Sequence, residues 1–377
     1  MFRAIVLAPE PEFGRAVERL AYDSQHLVVT KTIPSLAESP YEVGRIISGY
    51  DPEVILVENT RPDAAFRTVE GLRRHAPEVA VLALGGRLSD DGIERLLATG
   101  AAVLSAAFTP YQFIIAIKQA IHQARRNTFG PLFAFLPGKA GSGATTVAFN
   151  LATATACGLE KKVFVLEADL HSGVMSALIN SAPRLPLIDA LQNSDNLDYS
   201  LWLKYIVTQH GTDFLLADRI KKTPLPSWMH YHQLLRFASA RYDAMFVDLP
   251  EVVNEATDEI VQYAQCTFVV CTPELTSLKL AEQRLHELKA HGAPPDKLRV
   301  ILNRWHRSDM KPADVAELLD CPIPVVIRND YRTISRAIGS SRPVGLDTEL
   351  GRSFLEFGKK LVGSAPAEIK PRFAFFG

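Results

Sequence analysis

Cysteine is scarce: four residues in a chain of 377, at Cys157, Cys266, Cys271 and Cys321, with no CxxC pair and no Cys/His cluster. That spacing excludes a readable disulfide framework or zinc site and fits reduced thiols in a cytoplasmic protein. An excess of either charge is also missing, because 41 basic and 42 acidic side chains leave a formal net charge of −1. No global field draws such a chain onto nucleic acid, so no specific nucleic-acid partner is expected. Long apolar runs are nearly absent. The charge-free window from Leu96 to Ile117 is long enough to span a bilayer, but Gly100, Ser105, Thr109, Pro110 and Gln112 break it into strand, turn and proline-started helix. The opening MFRAIVLAPEPEF carries acid within its first dozen residues and does not read as a secretory signal. Neither a repeat of 20 to 50 residues nor a low-complexity tract is visible.

What is present is an ordinary globular composition, 47% hydrophobic and 22% charged, in a length that accommodates two domains. From Phe2 to about Gln123, short aliphatic runs (Ala4–Leu7, Val28–Thr32, Val54–Val57, Val79–Leu84, Val103–Ser105) alternate with three-to-four-spaced stretches such as Ala65–Arg74 and Asp90–Thr99. This βα alternation implies a parallel sheet. Around residues 124–131 the periodicity lapses into charge, Gly and Pro, which reads as a linker. A second α/β series then runs from Leu132 to about Gly363, leaving a tail over 364–377.

The segment Asp51-Pro52-Glu53-Val54-Ile55-Leu56-Val57-Glu58-Asn59-Thr60-Arg61-Pro62 resembles the third strand of a response-regulator receiver domain, with Glu58 in place of the phosphoacceptor aspartate. The resemblance implies that the Mg²⁺-holding acids fall in Ala8-Pro9-Glu10, the Thr/Ser in Ala83-Leu84 and the lysine at Ala106, so the phosphotransfer site is incomplete at each position. Glu58 itself reads as a solvated loop acid, with a mimic of the phosphorylated state as the alternative. The expected role of residues 1–123 is docking or dimerisation.

The string Gly138-Lys139-Ala140-Gly141-Ser142-Gly143-Ala144-Thr145-Thr146 follows a strand-like run, Leu132–Leu136, and opens a helix expected from Thr145 to about Cys157. Strand, glycine loop and helix start form a phosphate cradle: the glycines let backbone N–H groups converge, and the helix N-terminus adds its positive end. The string resembles the deviant Walker motif of the MinD/ParA class. That resemblance implies that Lys139 reaches phosphate across a nucleotide-sandwiched dimer and that Thr145 ligates Mg²⁺. Ala144 stands where the P-loop lysine belongs, which implies weak hydrolysis at most. Lys162–Leu170 resembles the second motif of the class, with Asp169 orienting the attacking water and Glu167 two residues earlier; capping of a following helix is the alternative for Asp169. Tyr242–Pro250 resembles the Walker B strand, with Asp248 on Mg²⁺ through water, and in Val300-Ile301-Leu302-Asn303-Arg304 the resemblance makes Asn303 face the base. The aspartate of a guanine-specific motif is missing from Asn303-Arg304-Trp305-His306, so adenine is favoured. His171, His230 and His232 lack a nucleophile elbow or metal-spaced partner and read as surface or packing residues.

A degenerate receiver joined to a deviant-Walker domain resembles the TadZ/CpaE family of pilus-assembly proteins over nearly the whole chain. Cys271-Thr272-Pro273-Glu274-Leu275 and Pro324–Tyr331 with Ile334 and Ala337 add to the likeness. The expected fold is therefore α/β, with two doubly wound parallel-sheet domains: a flavodoxin-like receiver, then a P-loop MinD/ParA-like domain. The resemblance implies ATP and Mg²⁺ as cofactors and a homodimer. It also implies pilus-assembly or secretion ATPase components as partners, a polar cytoplasmic location and peripheral membrane contact. Two alternatives stand beside it: a partitioning or septum-positioning ATPase, and a scaffold that binds no nucleotide. The tail's Phe373, Phe375 and Phe376 read as a docking arm in preference to a membrane anchor, since Pro366 and Pro371 discourage a helix.

Overall fold

Runs of four to six consecutive apolar residues, rather than alternating ones, are the signature of strands covered on both faces, and such strands pair in parallel between layers of helices. A computed structural model of the chain describes residues 1–86, 89–124, 129–217 and 226–363, and shows this arrangement twice. The chain divides into compact units at residues 1–128 and 129–377. The tail lies outside the described residues, as do positions 125–128 of the linker.

In the first unit β1 (Phe2–Leu7), β2 (Leu27–Ile33), β3 (Val54–Glu58), β4 (Ala80–Leu84) and β5 (Ala102–Leu104) form a parallel sheet in the order β2-β1-β3-β4-β5. Proline opens the helices Pro11–Ser24, Pro40–Tyr50, Pro62–His75 and Pro110–Ala124, where its missing N–H costs nothing. Pro62 thus starts its helix three residues before the apolar periodicity does. The charge-free window resolves into the end of the helix Asp90–Ala98, β5 and the start of the helix Pro110–Ala124.

Glu58 departs from expectation. It is the last residue of β3 and is only 1% exposed, not a solvated loop acid. Its Oε2 accepts the backbone N–H of Glu10 at 3.0 Å, and its Oε1 accepts the Thr60 hydroxyl. The cause is topological: β3 is the central strand, so its C-terminal end is flanked by the chain leaving β1 and the chain leaving β4. Beside it, Asn59 donates its N–H to the Leu84 carbonyl and accepts the Gly86 N–H on its side chain. Ala83 and Leu84 lie inside β4, and the residue that leaves the strand is Gly85, whose φ of 97° suits glycine. No hydroxyl occupies either position.

In the second unit β6 (Leu132–Pro137), β7 (Val163–Glu167), β8 (Val207–Gln209), β9 (Thr212–Leu215), β10 (Ala244–Asp248), β11 (Cys266–Cys271), β12 (Leu298–Trp305) and β13 (Val325–Arg328) build one sheet. Among the described residues its order is β13-β12-β11-β6-β10-β7-β9-β8. All pairs are parallel except the β8–β9 hairpin, whose two-residue turn, His210 (φ 50°) and Gly211 (φ 70°), matches the right-handed strand twist. Phe135 and Phe268 stack at 5.1 Å between centroids, with Phe246 beside Phe133 and Phe135. Each such ring, taken fully out of water, contributes about 1.5–3 kcal/mol. The helix Ala144–Leu159, rich in Ala and Thr, is buried on most of its circumference. It packs against the helix Glu349–Gly363, where Gly358 leaves room for Thr155, and Asn150 accepts the Val344 N–H at 2.8 Å. The chain runs from β6 to β7 on one side and from β10 to β11 on the other, so the sheet reverses beside β6. The carboxyl ends of strands at such a reversal form the crevice where α/β proteins bind ligands. No helix among the described residues is long and apolar enough to cross a membrane.

Candidate functional site

The crevice is built by the loop that leaves β6. Gly138 is anchored by its N–H to the Val270 carbonyl at 2.9 Å, and a Cβ there would stand 3.0 Å from that of Ala281. Gly141 and Gly143 have φ of 78° and 93°, left-handed values that favour glycine and turn the loop into the helix starting at Ala144. Gly143 is also tight, since a Cβ would approach Asn303 Nδ2 to 2.6 Å. Asn303, on β12, donates that amide to the Ser142 carbonyl at 2.8 Å and accepts the Arg304 N–H on Oδ1 at 3.0 Å. It is a clamp on the loop. Glu251, just beyond β10, accepts the Ala140 N–H at 3.0 Å and holds the other limb.

A cavity of about 600 Å³ opens over this loop, lined by Gly141, Gly143, Ala144, Thr145, Thr146, Asp169 and Asp248 with residues that follow β7 and β10. A second cavity, of about 700 Å³, adjoins it along Gly143, Thr146 and Arg304, is bordered by Asn303 and is closed by Asp330, Tyr331 and Ile334. The first holds the glycine loop, the Thr145 hydroxyl and the carboxylates of Asp169 and Asp248, groups that a phosphate site with a cation would use; the second, with Ile327, Ile334, Ile338 and Phe354, has an apolar wall suited to a ring.

Asp248 ends the central strand β10 and is 3% exposed. Burial pushes its carboxyl up to about 8; the hydrogen bond with the Thr145 side chain opposes the rise, and the neighbouring acids Glu167 and Asp169 add to it. Its Oδ1 has no hydrogen-bond partner among the described residues, nor does the buried Ser142 Oγ. A buried carboxylate oxygen is costly to leave unmade, so an orphan beside a hydroxyl is the donor set a hard divalent cation would complete. No group of three or more His, Cys, Asp or Glu side chains that could hold a metal occurs among the described residues. A cation here would therefore take few protein ligands and keep water or phosphate on its remaining positions.

Asp169 borders the same cavity and folds the segment after β7 into a turn, its Oδ1 accepting the N–H groups of His171 (3.0 Å) and Ser172 (2.8 Å). Glu167 points elsewhere. It is fully buried, accepting the Met175 N–H at 2.7 Å and the Ala217 N–H at 3.0 Å, and burial pushes its carboxyl up to about 7 against those two bonds. It braces the 168–175 turn against the strand beside it. Lys139 borders neither cavity; its charge is felt by Glu274, whose carboxyl is lowered mainly by the Thr272 side chain. Thus the fold brings together Gly138, Gly141, Ser142, Gly143, Ala144, Thr145, Thr146, Asp169, Asp248 and Asn303, and leaves Lys139 outside both cavities. His232 is packed, as expected: its Nδ1 lies 2.8 Å from the buried Glu259. Sequence reasoning missed Arg304, Glu251 and the bracing role of Glu167. For Arg304 a signal existed in its place directly after Asn303; the other two depend on partners 111 and 50 residues away.

No family model matches the chain. A protein of Emiliania huxleyi that carries the MinD name is 26% identical over 239 residues, 60% of this chain and 86% of that protein. The septum site-determining protein MinD of Helicobacter pylori is 22% identical, covering 63% of this chain and 94% of its own length. Among solved structures, a ParA family ATPase from Chlorobium tepidum TLS superposes with a TM-score of 0.57 at 21% identity, over 60% of this chain and 98% of its own. The septum site-determining protein MinD of Pyrococcus horikoshii OT3, complexed with Mg-ADP, gives 0.51 at 20% identity, over 62% and 96%. The second unit is similar in sequence to MinD proteins and shares the parallel-sheet fold of MinD and ParA-type ATPases.

Proposed function

We propose that this protein is a nucleotide-dependent positioning factor that binds Mg²⁺–ATP at the 138–146 loop and hydrolyses it weakly at most. The observation that carries the reading is the single cavity in which left-handed glycines, a helix start, the Thr145 hydroxyl and the orphaned Asp248 Oδ1 converge. Backbone N–H groups of the loop and the end of the helix dipole hold the phosphates. Thr145 and Asp248 hold the magnesium, which when bound neutralises phosphate charge. Asp169 is at the rim of the same cavity, where it can orient water, while the apolar wall of the second cavity takes the adenine. Ala144 supplies no cation, so charge developing in a phosphoryl-transfer transition state goes uncompensated at the position where a P-loop lysine would act. Lys139, which borders neither cavity, serves in this reading a partner's nucleotide in a sandwich homodimer.

The finer reading is that the factor localises assembly machinery of type IVb pili, with pilus-assembly or secretion ATPase components as partners and polar, peripheral membrane contact. Support comes from the order of the units: a flavodoxin-like 2-1-3-4-5 sheet with an incomplete acidic site, hence a receiver-like docking module, precedes a deviant-Walker unit. The curated relatives carry septum-positioning names, which favours septum or partition positioning as the second reading. Two measurements test this. Equilibrium titration of the full chain with a fluorescent ATP analogue and Mg²⁺ should saturate, with slow turnover; absence of binding would leave only a scaffold. Deleting the gene in its own organism should remove surface pili while septa stay in place, whereas misplaced septa with intact pili would replace the pilus reading by the second.

A further inference from the structure

A triphosphate entering the first cavity meets Asp169, Asp248, Glu251 and Glu255 on the walls and alanine at the lysine position of the loop. Magnesium offsets part of that charge, and a side-chain cation is still wanted. Arg304 borders both cavities, at the seam where they share Gly143 and Thr146. One of its terminal nitrogens lies 3.9 Å from where a Cβ on Gly143 would stand, so the guanidinium is beside the phosphate loop itself. The backbone is bent to put it there. Arg304 has a φ of 55°, uncommon for a side chain of this size, at the point where the β12–β13 register slips between Leu302 and Trp305. Asn303 fixes that bend, with Oδ1 on the Arg304 N–H and Nδ2 on the Ser142 carbonyl, so one residue ties the strained arginine to the loop.

We infer that Arg304 supplies, from β12, the phosphate-neutralising charge that Ala144 has lost from the loop. This rests on the nucleotide-binding reading above and says which cation serves it. A guanidinium suits the task, since its planar fork bonds two phosphate oxygens at once and stays charged at any relevant pH. It also differs from a P-loop lysine in entering from the base side of the loop. A contact to the β- or γ-phosphate therefore separates ATP and ADP from AMP and adenosine.

The test uses the full chain, Mg²⁺ and four probes, ATP, ADP, AMP and adenosine, with binding followed by calorimetry. Arg304→Gln keeps a non-glycine residue at the same φ and should leave the melting temperature of the free protein unchanged. It should weaken ATP and ADP roughly tenfold to a hundredfold while AMP and adenosine bind as before. Arg304→Lys should recover part of the loss, and adding Ala144→Lys to Arg304→Gln should restore ATP affinity by returning the charge to the loop. Equal weakening of all four probes would place Arg304 on the base and overturn the inference. So would unchanged ATP affinity in Arg304→Gln alongside a tenfold loss in Lys139→Ala, although nucleotide binding would stand. Wild-type protein that binds none of the four overturns the nucleotide reading itself, and this inference with it.

Discussion

Gly141 and Gly143 share a left-handed backbone but not a neighbourhood, and the difference isolates the Asn303 clamp. At Gly141 an added methyl meets nothing within 4 Å, so Gly141→Ala incurs only the left-handed penalty, about 1–2 kcal/mol, less about 0.4–1 kcal/mol from a stiffer unfolded chain. At Gly143 the methyl would stand 2.6 Å from Asn303 Nδ2 and must displace the amide from the Ser142 carbonyl. Losing that hydrogen bond and leaving buried groups unpaired adds about 1–3 kcal/mol, so Gly143→Ala should cost about 1–4.5 kcal/mol in all. Asn303→Ala alone should cost about 1–3 kcal/mol. Because both changes break the same bond, the double variant should fall short of their sum by about 1 kcal/mol. Trp202, Trp228 and Trp305 are the chain's three tryptophans and all lie in the second unit, so urea unfolding followed by tryptophan fluorescence reports on that unit alone. Equal losses for the two glycines, with full additivity between Gly143→Ala and Asn303→Ala, would refute the clamp.

The Asp248 carboxyl has an ordinary value of 3.8 raised to about 8 in the fold, so between those limits the folded chain holds a proton the unfolded chain releases. Stability of the nucleotide-free protein should be greatest below about pH 4 with respect to this group and decline as pH climbs toward 8; thermal melts should show a shallower decline in Asp248→Asn, and an identical slope would dismiss the assignment. Glu167→Gln turns one of two accepting oxygens into a donor facing a backbone N–H and should lower stability by about 1–3 kcal/mol in the same fluorescence assay. With acetyl phosphate and Mg²⁺, intact-mass analysis should find no acyl-phosphate in residues 1–123: Glu58 is buried and already bonded to Glu10 and Thr60, and a hydroxylamine-labile mass gain there would contradict this.

Local chemistry was legible in the sequence wherever chain neighbours suffice. The apolar runs announced buried parallel strands, Pro110 announced a helix start, and Gly138 to Thr146 announced a phosphate loop, because glycine content and helix initiation act over a few residues. Ala144 could be recognised as a loss for the same reason. Spatial partnership was decided only by the tertiary structure. Glu58 read as a loop acid because burial depends on β3 lying mid-sheet, between strands whose exits close over its end. The β8–β9 hairpin went unread because its strands are three and four residues long and their pairing depends on two left-handed turn residues. Glu167 and Asp248 both end apolar strands and look alike in sequence. The fold turns one toward the backbone of the 168–175 turn and the other into the cavity, where its unpaired oxygen can serve a cation. Arg304 became a phosphate candidate only when β12 was seen to lie two strands from β6, across the reversal of the sheet, which carries its guanidinium to the loop where Ala144 has none.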